Sequence, residues 1–206
     1  MFEFERNLAV IIGIDTYEKG IPPLTTAAND AKKIAQLLQD EHQYHQVWTF
    51  LDDSATRSHL EELLQETLPN TVQANDRLVF YFAGHGIALP GEEGPQGYLI
   101  PQDAKLGDST TYIRMTEVEE ALTQLSCRHC LVILDCCFAG AFRWASTRDI
   151  AVVPESMYKK RYDRFITDPV RQVITSAAYD QKALDSLKIV EDSDRRLVAT
   201  TRAQAT

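Results

Sequence analysis

The chain has 206 residues, of which 44% are apolar and 25% are charged, and its formal net charge is −9. This balance suits one globular domain with a sizeable core, while the acidic charge argues against a nucleic-acid-binding domain, which usually carries a basic face. Because no apolar run approaches the roughly 18 residues of a membrane helix and the N-terminus lacks the pattern of a signal peptide, we expect a cytoplasmic protein.

Short runs rich in β-branched residues predict the strands of a parallel sheet. Continuous apolar runs of this kind are typical of strands that are buried on both faces. In chain order the runs are LAVIIGI at 8–14, VWTFL at 47–51 as an edge strand, LVFYF at 78–82, LVIL at 131–134 and VIT at 173–175.

Helical patterns lie between these runs. Residues 27–38 place their apolar side chains on one helix face, and we expect a second helix to start at Asp53 and a third at Thr116. This alternation predicts a three-layer α/β domain with a mostly parallel central sheet flanked by helices. The segments 86–111 and 142–169 fit neither pattern, and long loops of this kind are usually functional or mobile.

A histidine and a cysteine directly follow two of the predicted strands. The segment AGHG at 83–86 comes after LVFYF, and DCC at 135–137 comes after LVIL. Ligands of an open α/β sheet bind at the carboxyl ends of its strands, and a thiol needs a nearby base to become a nucleophile. His85 can supply that base, and the amide of Gly86 can donate to an oxyanion. The alternative is a packing histidine beside a buried core cysteine.

Two motifs resemble those of the caspase-like clan of cysteine peptidases, in particular the metacaspases and their prokaryotic relatives, the orthocaspases. The motifs are YFAGHG at 81–86 and LDCCFAG at 134–140, similar to the family patterns Y-(S/A)-G-H-G and D-x-C-x-(S/A)-G. His85 precedes Cys137 by 52 residues, close to the roughly 50 typical of caspases. The resemblance implies the caspase-haemoglobinase-like fold, with His85 as base, Cys137 as nucleophile, and the amides of Gly86 and Cys137 as oxyanion hole. By the same register, Cys136 is a core neighbour.

The resemblance also implies cleavage after Arg or Lys. Caspases, which cut after Asp, carry Gln at the position of Asp135, and metacaspases place a second acid early in the first helix, where this chain has Asp30. Two carboxylates bind a guanidinium through charge-assisted bonds. Ser176, by resemblance, lies on the wall of this pocket. The structural alternatives are a helix first-turn acid for Asp30 and ordinary strand-end residues for Asp135 and Ser176.

The resemblance divides residues 1–185 into a large-subunit part of about 1–141, a processing loop at 142–169 and a small-subunit part at 170–185. The loop is rich in basic residues, and we expect a zymogen that cleaves itself near Lys159, Lys160 and Arg161; the alternative is a solvated charged loop. Residues 186–206 are expected to form a tail or the truncated end of the small-subunit region, followed in a longer protein by a regulatory domain.

No cofactor or metal is expected. Calcium-dependent relatives bind the ion through acidic loop residues, but the acids after His85 do not have the spacing of an EF-hand loop, and Trp144 stands where some of those relatives carry an acid. The pair Cys127 and Cys130 has the spacing of half a zinc site, but Cys130 opens a buried strand. The acids considered for calcium are Glu92, Glu93, Asp103 and Asp108.

The expected partners are peptides or proteins with a basic residue before the cleaved bond, and neither nucleic acid nor membrane. The protein is expected to be a monomer. The main alternative function is a catalytically weak, caspase-like scaffold or interaction module. A nucleotide-binding domain is more distant, since the segment GIDTY at 13–17 follows the first strand in place of a glycine-rich phosphate loop.

Overall fold

The computed structural model describes residues 4–91, 94–137, 170–176, 188–191 and 197–200. The first half of the chain contains β1 (Arg6–Gly13), α1 (Ala27–Asp40), β2 (Gln46–Leu51), α2 (Arg57–Glu62), a π-helical turn (Leu63–Thr67), α3 (Leu68–Thr71), β3 (Asp76–Ala83), β4 (Gly86–Gly91) and β5 (Gly94–Leu99). The second half contains β6 (Ile113–Arg114), α4 (Met115–Gln124), β7 (His129–Asp135), β8 (Val170–Thr175), β9 (Lys188–Glu191) and β10 (Leu197–Thr200).

Five of the described strands form a central parallel sheet in the order β2-β1-β3-β7-β8. Each of the five apolar runs in the sequence forms one of these strands, and VWTFL lies at an edge as β2. Because parallel strands need crossovers that cover the sheet, β1 and β3 are buried on both faces, while β7 is buried on one face and partly buried on the other. The carboxyl ends of β1, β3 and β7 therefore meet at one edge, which is the edge that carries the motifs.

Helices cover both faces of this sheet, so the predicted three-layer α/β architecture is confirmed. On one face, Ala31 and Ala35 of α1 pack against Ile11 and Tyr81. On the other face, Leu60 and its neighbours in α2, together with Val118 and Leu122 of α4, pack against the larger apolar side chains of β1 and β3. Small alanines let α1 lie close to the sheet, whereas the opposite face is filled by large aliphatic and phenylalanine side chains.

The segment 86–111 contains β4 and β5, an antiparallel pair that β6 extends to a three-stranded sheet. The expectation of a long loop there was wrong. Glycine and proline have low strand propensity, and they hid the pattern in GIALPG and GPQGYL. The pairing satisfies the backbone, and the sheet packs its apolar side chains onto the loop after β1 in a small cluster of Ile21, Tyr98, Ile100, Ala104 and Tyr112.

The second helix begins at Arg57 and not at Asp53, because residues 52–54 form a separate 3-10 turn. Thr56 occupies the position before the helix, and its hydroxyl accepts the amide of His59. The Asp103 carboxylate accepts the amide of Arg57 at 2.8 Å. Two side-chain acceptors thus satisfy amides that a helix start leaves without intrahelical partners.

Part of the chain lies outside the described residues. This applies to the processing loop at 142–169 with Lys159, Lys160 and Arg161, to Trp144, and to Glu92 and Glu93. Within 186–206, β9 and β10 pair as an antiparallel hairpin. Among the described helices, none has the length and apolar character that a membrane span requires.

Candidate active site

The segments that follow β3 and β7 lie side by side at the carboxyl edge of the sheet. Ala83 pairs with Asp135, and the amide of Gly84 donates to the Asp135 carbonyl at 3.3 Å. Gly86 lies directly against the second segment, since a Cβ there would collide with the carbonyl oxygen of Cys137 and approach the sulfur of Cys136 to 3.0 Å. The structure therefore brings the segment of His85 into contact with the segment of Cys137.

The imidazole of His85 is held by the loop between β1 and α1. Its Nε2 lies 2.9 Å from the carbonyl oxygen of Pro22, and its ring packs against the Tyr17 ring with centroids 4.9 Å apart. The carbonyl can only accept, so the hydrogen bond requires the proton on Nε2. In the neutral ring, Nδ1 is then the nitrogen that can take up a proton.

Tyr17 also fixes the backbone of the histidine segment. Its hydroxyl accepts the amide of His85 at 2.8 Å, and burial raises the pKa of this hydroxyl. A Cβ on Gly84 would lie 2.8 Å from the same oxygen. The first glycine of the motif therefore leaves room for the tyrosine hydroxyl.

The two motif glycines serve close approach and have no unusual backbone conformation. Positive backbone φ angles occur among the described glycines at Gly20 and Gly107, but not at Gly84 or Gly86. Gly84 makes space for Tyr17, and Gly86 makes space for the backbone of Cys137. A side chain at Gly86 would push the histidine and cysteine segments apart, whereas a side chain at Gly84 would displace the Tyr17 hydroxyl.

Asp52 holds the loop that carries Tyr17 and Pro22. One oxygen of its carboxylate accepts the amides of Asp15 and Thr16, both at 2.8 Å. The amide of Leu24 then donates to the Asp15 carbonyl at 2.8 Å, which returns the chain to the end of β1 before α1 begins. Asp52 follows β2 directly, so the edge strand of the sheet contributes to the placement of His85.

Sequence reasoning did not identify Tyr17, Pro22 or Asp52 as residues of this site. The sequence signal for Tyr17 and Asp52 was their position after predicted strands, because polar residues that follow parallel strands gather at one edge of the sheet. Tyr17 belongs to GIDTY after β1, and Asp52 follows β2. The contacts of Tyr17 and Pro22 with His85 depend on loop geometry that no local pattern encodes.

The two adjacent cysteines have different environments. Cys136 is 1% exposed and belongs to the core beneath the sheet, where burial raises the pKa of its thiol. Cys137 is partly exposed. Because the thiolate is the reactive form of cysteine, Cys136 is inert near neutral pH, whereas Cys137 is accessible at the strand end.

The two predicted pocket acids share one face of the sheet. Asp135 is exposed at the end of β7, and Asp30 is about half exposed in the first turn of α1. Burial, then the charge of Asp135 and that of Asp30, raise the pKa of Tyr81, so both carboxylates lie within electrostatic range of one hydroxyl. Asp30 also lies 4.0 Å from the exposed Lys33, a surface pair of little energetic weight.

Ser176 is tied to the strand that leads to Cys137. Its amide donates to the Leu134 carbonyl at 3.1 Å, and its hydroxyl lies 3.4 Å from the same oxygen and 3.5 Å from the Cys136 carbonyl. These contacts link the end of β8 to the end of β7. The structure therefore places Ser176 beside the cysteine segment.

The described residues contain no group of three or more His, Cys, Asp or Glu side chains that could hold a metal ion. Asp103 accepts the first amide of α2, and Asp108 accepts both the amide and the hydroxyl of Thr110, so these carboxylates have structural partners. Cys127 and Cys130 lie near the start of β7, and Cys136 and Cys137 follow its end. A strand of this length, at about 3.3 Å a residue, keeps the two pairs too far apart to share one metal ion.

Comparison with known proteins gives a family and a fold. A family model described as the caspase domain matches residues 6–202. A crystal structure of a protein from Geobacter sulfurreducens is similar at a TM-score of 0.60 and 16% identity, over 88% of this chain and 76% of that chain. At this identity the similarity shows the fold alone. No curated protein matches the sequence at a significant level.

Proposed function

The chain belongs to the caspase-domain family of cysteine peptidases, and from this premise we propose that it cleaves peptide bonds after Arg or Lys with Cys137 as nucleophile and His85 as base. The proposal depends above all on one observation. The accessible Cys137 and the imidazole of His85 lie on segments that touch at Gly86, with Nε2 of the imidazole bound to the Pro22 carbonyl.

The chemistry follows from these positions. Nδ1 of His85 takes the proton of the Cys137 thiol, and the thiolate attacks the carbonyl carbon of the substrate. The amides of Gly86 and Cys137 donate to the oxyanion that forms. When the carbon–nitrogen bond breaks, the imidazolium returns the proton to the leaving amine. His85 then activates a water molecule, which hydrolyses the thioester and restores the thiol.

Asp30 and Asp135 would bind the side chain before the cleaved bond. Both are carboxylates on one face of the sheet, near the carboxyl edge where Cys137 lies, and Lys33 is an exposed cation beside Asp30. Two negative charges favour a guanidinium or ammonium group and repel the carboxylate of an Asp side chain. The same charges support the placement of this chain among metacaspase-type rather than caspase-type enzymes.

A panel of fluorogenic peptides that differ only in the residue before the cleaved bond tests this function. We expect cleavage after Arg and Lys, loss of that activity in C137A and in H85A, and retention in C136A, because Cys136 lies in the core. Faster cleavage after Asp than after Arg would contradict the specificity. Absence of cleavage with every peptide would instead favour a scaffold or interaction module.

We also propose that the enzyme processes itself in the 142–169 loop. The loop contains Lys159, Lys160 and Arg161, which match the proposed specificity. The wild-type chain should convert to two fragments during purification, and C137A should remain one chain. Conversion of C137A at the same bond would show that another protease makes the cut.

We propose further that the peptidase works without a metal ion. Asp103 and Asp108, two of the four acids considered for calcium, have their carboxylates engaged by Arg57 and Thr110. Dialysis against EGTA should leave kcat/KM for a P1-Arg peptide unchanged within about twofold, a difference of about 0.4 kcal/mol. Loss of activity on dialysis that returns with added calcium would contradict this expectation.

A further inference from the structure

Tyr81 lies beneath the two acids proposed to bind the substrate side chain. It pairs with Ile133, two residues before the pair of Ala83 and Asp135, so its side chain and that of Asp135 project from the same face of the sheet. This is the face that α1 covers. Tyr81 packs in one apolar cluster with Ala27 and Ala31 of α1, and Asp30 lies between these two alanines in the chain.

The hydroxyl of Tyr81 has an unused capacity for hydrogen bonds. The side chain is 95% buried, since 5% of it is exposed. Among the described residues no group donates to this oxygen or accepts from it. The oxygen is not one of the fully buried polar atoms that lack a partner, so it keeps some contact with solvent. Asp135 and Asp30 both lie within electrostatic range of the hydroxyl, on the side of the sheet that α1 covers.

From this placement, which rests on the proposed function, we propose that the Tyr81 hydroxyl forms the floor of the substrate pocket and selects arginine over lysine. The backbone of Tyr81 lies two residues, about 6.6 Å, further from the carboxyl end of the sheet than the backbone of Asp135. An arginine side chain is one atom longer than a lysine side chain and ends in a planar fork of N–H donors. The guanidinium reaches the floor, where the hydroxyl accepts one N–H and donates its own proton to a carboxylate.

Lysine binds the same pocket differently. Its ammonium ends one atom earlier and carries three donors, which the carboxylates of Asp30 and Asp135 can satisfy without Tyr81. Removal of the hydroxyl should therefore weaken arginine substrates and spare lysine substrates. A residue with only a structural role would affect both classes alike.

The test compares Tyr81→Phe with the wild type and with Tyr44→Phe. Tyr44 packs against the same cluster under α1, but it precedes the start of β2 and so lies at the amino-terminal end of the sheet, away from the site. It is therefore a matched control. In Y81F we expect kcat/KM for a P1-Arg peptide to fall about tenfold, as for loss of a hydrogen bond to a charged group, and that for a P1-Lys peptide to change less than about twofold. Y44F should leave both values unchanged.

Equal losses for both peptides in Y81F, or no loss for either, would overturn the selector role. If the wild type cleaves after neither Arg nor Lys, the proposed function fails and Tyr81 is not the cause. A second measurement uses the wild type alone, in case Y81F does not fold. Shortening the P1 arginine by one methylene should lower kcat/KM to the level of lysine, and an unchanged value would also overturn the proposal.

Discussion

At the scale of single residues, the imidazole of His85 is bound by groups that do not react. The Pro22 carbonyl sets the position of its proton, and the Tyr17 hydroxyl and ring fix its backbone and its plane. A catalytic base must be held within a narrow range of positions to transfer a proton efficiently. Under the proposed function, Tyr17 is therefore a positioning residue for His85, acting through the backbone amide.

Tyr17→Phe keeps the ring and removes the acceptor of the His85 amide. We expect kcat for a P1-Arg peptide to fall about five- to tenfold with KM little changed, corresponding to loss of one neutral hydrogen bond of about 1 kcal/mol. The control is Tyr112→Phe, because the Tyr112 hydroxyl also accepts a backbone amide, that of Gly107 at 3.0 Å. A loss that appears in KM alone, or equally in Y112F, would contradict the positioning role.

The residues of the motifs could be named from the sequence, whereas the residues that hold them could not. His85, Cys137 and Asp135 directly follow apolar runs, so their place at the sheet edge follows from strand prediction. Tyr17 and Pro22 reach His85 from a loop whose shape depends on Asp52, a residue 35 positions beyond Tyr17 in the chain. Such contacts between distant segments leave no periodic signal.

At the scale of elements, an ion pair links two strands at the amino-terminal end of the sheet, opposite the candidate active site. Two nitrogens of Arg6 donate to the buried carboxylate of Asp76 at 2.9 and 2.6 Å, and Arg6 also donates to the Thr71 carbonyl at the end of α3. The amide of Gln73 donates to the same carboxylate at 2.7 Å. Asp76 thus joins the starts of β1 and β3 to the helical segment between β2 and β3.

Asp76→Asn should lower the free energy of unfolding by about 2–3 kcal/mol, because a buried amide cannot accept all three hydrogen bonds of the carboxylate. Urea unfolding measures the effect. Glu5→Gln, which alters an exposed contact with Asn75, is the control and should change stability by less than about 0.5 kcal/mol. Equal effects of the two substitutions would show that the Asp76 contacts do not stabilise this edge.

The small sheet shows where prediction of elements fails. The long apolar strands β1, β3 and β7 could be located because β1 and β3 are buried on both faces, and β7 is buried on one face and partly buried on the other. Strands β4 and β5 contain four glycines and two prolines between them and lie partly at the surface, so their sequence has the composition of a loop. Their strand conformation comes from pairing with each other and from packing on the loop after β1.

At the scale of the whole molecule, the core contains thiols that remain protonated. Burial raises the pKa of Cys130 to about 12, and burial also raises the pKa of Cys127 and of Cys136. In the unfolded chain these thiols ionise near their ordinary pKa of 9.0. Below that pKa the thiols are protonated in both the folded and the unfolded chain, and their contribution to the free energy of unfolding is fully present. Above it the unfolded state loses protons that the folded state retains, so stability falls as pH rises towards 12.

The expected result is a urea midpoint that decreases between about pH 8.5 and pH 10.5, with a smaller decrease in Cys130→Ala. Cys130→Ala has a lower stability from the start because it leaves a small cavity. The two proteins are therefore compared by the slope of the urea midpoint with pH and not by its absolute value. A midpoint that is flat or rises over this range, or equal slopes in the two proteins, would contradict the linkage.

The layers and the sheet of the whole domain follow from the sequence because apolar runs, helical periodicity and the strand-end motifs all indicate one architecture. The match of the caspase-domain family model over residues 6–202 includes most of the segment assigned to a tail. The hairpin of β9 and β10 lies in that segment. Its strands, KIVE and LVAT, are four residues each and too short to show a clear alternation.

The roles proposed for Cys137 and His85 are tested most directly by covalent labelling with an arginine-directed peptide inhibitor that reacts with active-site thiols, followed by peptide mass mapping. We expect one label per chain, on Cys137, which is lost in His85→Ala and prevented by an excess of P1-Arg substrate. A label on Cys136, or equal labelling by an inhibitor with Asp in place of Arg, would contradict this expectation.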